Sequence, residues 1–67
     1  MKSLISVYAH IYNADGKIVC HEKQYRFIRS RMFKPTYVGA ARMIAKETGV
    51  KPSDISVTRI ESASFAS

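Results

Sequence analysis

The sequence predicts an α+β fold: a three-stranded antiparallel sheet in spatial order 2-1-3, built as ββαβ, with one helix packed on one face. Three observations carry that expectation. Residues Lys2 to Tyr12 alternate apolar and polar, which is the period-2 mark of a strand with one buried face. Asn13-Ala14-Asp15-Gly16 follows directly and suits a type I turn whose fourth residue takes the left-handed bulge position. From Thr36 to Thr48, the residues Tyr37, Ala40, Ala41, Ile44, Ala45 and Thr48 recur at the spacing of one side of a 3.6-residue helix.

In the first strand Ile5, Val7, Ala9 and Ile11 point one way, and Leu4, Ser6, Tyr8, His10 and Tyr12 point the other. A three-residue hairpin then pairs Tyr12 with Ile18, Ile11 with Val19 and Ala9 with His21. In that register the second strand, Lys17 to about Ile28, sends Val19, Tyr25 and Phe27 to the buried face. His21 and Lys23 fall there too, with the lysine stem able to lie along apolar surface. A slip by one residue would instead bury Glu22, Gln24 and Arg26, which is worse.

Arg29 to Lys34 is a basic connection containing Met32 and Phe33. Pro35 sits where a helix can start, Thr36 can cap it, and Gly49 can close it in the left-handed conformation. Gly39, costly inside a helix, marks close approach of another backbone, most simply the sheet. Lys51-Pro52-Ser53-Asp54 turns the chain into a third strand, Ile55 to Glu61. Its imperfect alternation calls for a bulge near Thr58 or Arg59; the last six residues carry no strong signal. The second and third strands flank the helix, so they run parallel through a right-handed crossover, with the first strand between them. The expected core is Ile5, Val7, Ile11, Val19, Phe27, Ala41 and Ile44.

Sixty-seven residues make one small domain, residues 1–67, near the lower limit for folding without a metal or disulfides. An apolar fraction of 46% is too high for a disordered chain. A lone cysteine, Cys20, forms no internal disulfide, and no run approaches bilayer length or resembles a signal-peptide core. The expected location is the cytoplasm, with no membrane contact. Eleven Lys and Arg against five Asp and Glu give a net charge of +6, which draws such a domain towards nucleic acid or an acidic surface.

No catalytic, metal or cofactor site is expected. Cys20 and His10 fall together on the uncovered face, but two ligands do not make a zinc site. Ser, His and Asp occur without a nucleophile-elbow, phosphate-loop or paired-carboxylate pattern. Two other features point to binding. Lys23, Arg26, Arg29, Arg31 and Lys34 lie within twelve positions with no acid between them, and arginine forks suit phosphate oxygens. A solvated edge that discourages strand-to-strand aggregation would carry the same cations. Arg42 and Lys46 add charge from the helix. Tyr8, His10 and Tyr12 stand in line on the uncovered face of the central strand, where aromatic side chains stack unpaired bases or anchor a protein interface.

The helix-to-strand pattern Ala40-Ala41-Arg42-Met43-Ile44-Ala45-Lys46-Glu47 and Ser56-Val57-Thr58-Arg59-Ile60-Glu61 resembles that of small phage-encoded anti-CRISPR inhibitors. It also resembles the sheet-plus-helix ribosomal proteins of the archaeal LX type. The stretch, Ala40 to Glu61, covers about a third of the chain and transfers no functional residue by motif. The first likeness implies a protein that blocks a CRISPR effector in the host cytoplasm, the second an rRNA binder. The leading expectation is therefore a non-enzymatic basic protein acting on a protein or nucleoprotein complex that handles nucleic acid. Direct binding of RNA or DNA is the alternative, and a homodimer joined through the open sheet face is the third reading.

Overall fold

In the computed structural model, which describes residues 2–31 and 33–65, the chain folds as ββαβ. Strand β1 is Lys2–Tyr12, β2 is Ile18–Arg29, helix α1 is Tyr37–Thr48, and β3 is Ile55–Phe65. One 3-10 turn, Pro52–Asp54, leads into β3. The sheet order is β2-β1-β3, both outer strands antiparallel to the central one. No helix among the described residues is long and apolar enough to cross a membrane.

Local chemistry explains the punctuation. The Asn13 side chain accepts from the backbone N–H of Asp15 and of Lys17, at 2.9 and 3.0 Å. Gly16 supplies the positive φ of 77° that closes the bulged turn, and Tyr12 pairs with Ile18 as expected. The Thr36 hydroxyl accepts from Gly39 N–H at 3.1 Å, satisfying a backbone donor the helix start leaves free. Gly49 ends α1 in the left-handed conformation, its N–H bonded to the Ala45 carbonyl. Gly39 does not mark the sheet: a Cβ there would meet Thr36 Oγ1 at 3.3 Å and Pro35. It keeps room for the cap.

The core lies between β1 and α1. Ile5, Val7, Ala9 and Ile11 alternate into it, and Ala40, Ala41 and Ile44 descend from the helix, joined by Ile55. Phe27 is half-buried against this cluster. Val19 is not in the core; it is 62% exposed. The reason is a pair of bulges in the hairpin, which match Ile11 to Cys20 and Ala9 to Lys23 instead of to Val19 and His21. Two residues are absorbed opposite His10, so Cys20 takes the inward place and packs on the core. The alternation is right beyond the bulge, where Tyr25 and Phe27 oppose Val7 and Ile5. Tyr37, at the edge of the apolar helix stripe, is 55% exposed and outside the core.

β3 is longer than its sequence pattern suggests. The expected bulge is present at Thr58, between the pairs Ala9–Val57 and Tyr8–Arg59. It lets Ile55, Val57 and Ile60 all turn towards the helix, and the Thr58 hydroxyl donates to the Tyr8 carbonyl at 3.1 Å. Beyond Glu61 the strand continues to Phe65, because Ser62 to Phe65 pair with Ile5 to Lys2. That pairing also anchors the connection between β2 and α1. The Ser3 hydroxyl donates to the Arg31 carbonyl, and the Ser62 hydroxyl donates to the Phe33 carbonyl at 2.8 Å. Two strand serines thus hold the connection across the end of the sheet that a twelve-residue helix does not reach. Phe33 packs on the core from this side, so it does not fold over the opposite face; Met32 lies outside the described residues.

Candidate interaction surface

The face of the sheet away from α1 is built from alternate residues of all three strands. The central strand sends Leu4, Ser6, Tyr8, His10 and Tyr12 to it; in register beside them stand Ile28, Arg26 and Gln24 from β2, and Arg59, Glu61 and Ala63 from β3. No other described element packs over it. Tyr8 is its centre. The Tyr8 hydroxyl accepts from Gln24 Nε2 at 3.0 Å and donates to Glu61 Oε1 at 3.3 Å. The Arg59 guanidinium lies over the Tyr8 ring, 4.1 Å from its centroid, and Arg59 Nε is 3.9 Å from Glu61 Oε2. On the other flank Arg26 donates to Gln24 Oε1 at 3.4 Å.

These contacts form one chain across the sheet, from Arg26 through Gln24, Tyr8 and Glu61 to Arg59. Cross-strand partners of this kind hold a side chain in one orientation. The Tyr8 side chain first, and the Glu61 carboxylate second, strengthen the hold of Arg59 on its proton. Arg59, Gln24 and Glu61 were not apparent as site residues from the sequence. The signal for Arg59 and Glu61 is the bulge: once Thr58 is the extra residue, Arg59 and Glu61 share the face of Tyr8.

His10 and Tyr12 continue the row. The His10 ring meets His21 edge to face, with centroids 6.2 Å apart. Cys20 is not beside His10 on this face; the bulge turns it to the core side. Among the described residues no three His, Cys, Asp or Glu side chains gather as metal ligands would.

The basic cluster of β2 and its connection is split by the strand's two faces. Arg26 belongs to the open face. Lys23 and Arg29 belong to the helix side, opposite Ala9 and Ser3. There Lys23 Nζ sits 5.4 Å from the Tyr25 ring centroid, and Arg29 Cζ sits 5.8 Å from that of Phe27. Arg31 and Lys34 are exposed in the connection, and Arg42 and Lys46 are exposed on α1. The cations therefore surround the molecule more evenly than their spacing in the sequence suggests. No protein-family model matches the chain, and neither a curated protein nor a solved structure matches it.

Proposed function

We propose that this chain is a non-enzymatic binding protein that docks through the open face of its sheet onto a complex that handles nucleic acid. The observation that carries the reading is Tyr8, held by three neighbours, Gln24, Glu61 and Arg59, at the centre of an uncovered face. A tyrosine already fixed in position loses little further freedom on binding, and Tyr and Arg are the residues in which interface energy concentrates. The net charge of +6 supplies steering towards an acidic or nucleic-acid-bearing partner, which acts mostly on the rate of encounter. Glu61 on this face is engaged with Tyr8 and Arg59, which suits recognition better than proton transfer. An inhibitor of the kind phages encode against CRISPR effectors, acting in the cytoplasm, is one form such a protein would take.

Affinity capture from lysate, with and without nuclease, tests the reading when run beside two variants. Tyr8→Ala should lower capture of the partner about tenfold or more, while Arg29→Ala with Arg31→Ala slows association and makes its salt dependence shallower, with a smaller loss of capture. Capture that disappears with nuclease and ignores Tyr8→Ala would exclude docking through this face.

A further inference from the structure

The helix does not cover the sheet symmetrically. It approaches β3 more closely than β2, and this offset leaves a groove of about 350 Å³ along the inner side of β2. Phe27 and Arg29 form its strand wall, and Met43, Lys46 and Glu47 its helix wall. The helix-side residues of β2 continue the groove's strand wall in the order Lys23, Tyr25, Phe27, Arg29, so two aromatic rings lie between two cations. Both rings are only half-buried, and each already has a cation beside it. The pKa of the Tyr25 phenol is raised, first by desolvation and then by Cys20.

Charge complementarity decides the occupant. In the groove Arg29 and Lys46 face one acid, Glu47; Lys23 lies farther along the same side of β2, and the exposed Arg31 and Lys34 follow where the chain leaves the strand. An acidic protein segment would be drawn by the cations but has no use for two aromatic rings set between them. Unpaired bases do, because every base has a flat face to stack and each is followed by a phosphate. A duplex hides its bases and offers a wide phosphate cylinder that a narrow groove does not admit.

We propose that the groove between α1 and β2 binds single-stranded nucleic acid, with bases against Phe27 and Tyr25 and phosphates on Arg29, Lys46 and Lys23. This surface lies on the opposite side of the sheet from Tyr8, so it stands or falls separately from docking through the open face. A chain with both would hold a protein complex on one face and its single strand on the other.

Fluorescence anisotropy with a labelled oligothymidine of about ten nucleotides tests the groove. Saturable binding at low salt is expected, with log affinity falling against log salt at a slope of about −2 for three contacts. Arg29→Ala with Lys46→Ala, both exposed positions, should weaken binding about tenfold or more and make the slope shallower by about 1.4. Phe27→Leu keeps an apolar side chain on the core while removing the ring, and should weaken binding at least about fivefold at an unchanged slope. Circular dichroism on each variant confirms that the fold is kept. Tyr8→Ala should leave the affinity within about twofold, a margin below the usual worth of one stacked base.

Four results would overturn the proposal. One is equal binding of a duplex of the same length. Another is an equal loss from Arg42→Ala, whose side chain is exposed and does not line the groove; that would mean unspecific charge. The third is displacement of the oligonucleotide by polyglutamate at equal charge, which would mark an acidic-protein site. The last is a loss from Tyr8→Ala larger than that from the Arg29, Lys46 pair.

Discussion

The two faces of the sheet are held by different physics. The helix side is ordered by burial: Ile5, Val7, Ala9, Ala40 and Ile44 are fully removed from solvent, and burial of this kind is the main driving force of folding. The open face buries almost nothing large. It is ordered by lateral pairing, with Tyr8 clasped between Gln24, Glu61 and Arg59. Burial is non-directional and sensitive to volume, whereas pairing is directional and contributes little net stability at a surface. One face should therefore report on folding and the other on recognition.

The largest expected effect tests the burial side. Ile44→Ala should cost roughly 2–5 kcal/mol in urea unfolding, because a fully buried side chain leaves a cavity. Tyr8→Ala should cost about 1 kcal/mol, within the range of a cross-strand pair, while impairing partner binding. If Tyr8→Ala unfolds the chain as readily as Ile44→Ala, the division between the faces fails.

Next comes the connection that crosses the helix side. Ser3 is fully buried and donates to the Arg31 carbonyl. Ser3→Ala leaves that acceptor without its donor and should cost about 1–3 kcal/mol. Hydrogen exchange should locate the loosening around Arg31 and Phe33, not in β3; uniform loosening would show that the serine serves packing alone. Thr36→Ala removes the cap bonded to Gly39 N–H and should cost about 1 kcal/mol. Its thermal unfolding midpoint should drop by less than that of Ile44→Ala.

The smallest effect concerns pH. Tyr25 carries a raised pKa, from burial first and Cys20 second, so the folded state favours the neutral phenol. The sign follows: this contribution is complete below the ordinary phenol value of about 10 and is lost as pH rises through the folded value. Wild type should lose stability relative to Tyr25→Phe above about pH 10. Parallel stability curves for the two proteins across that range would remove the burial argument for Tyr25.

Much of the architecture was legible because it rests on short-range chemistry. The alternation of β1, the Asn13–Gly16 turn, the Thr36 cap and the Gly49 stop each depend on a few neighbouring residues, and each stands as the sequence predicts. The sheet order rests on the two antiparallel pairings with β1. Of the candidate site residues, Tyr8 and Arg26 come together on one face, whereas Lys23 and Arg29 do not join them. A run of cations in sequence says little about where they point, since alternate strand residues face opposite ways.

What only the tertiary structure decided is register. The bulges in the hairpin turn Cys20 inward and leave Val19 exposed, an outcome of the pairing between two strands and not of either one alone. The same holds for Ser62 to Phe65, which become strand only because Lys2 to Ile5 offer them an open edge. The offset of α1 towards β3, which opens the β2 groove, depends on how Ala40, Ala41 and Ile44 settle on the sheet. By itself the sequence determined the elements, their order and the caps of α1, because helix period, strand period and turn chemistry are local. Which side chains meet was decided by packing over long separations, which no local pattern encodes.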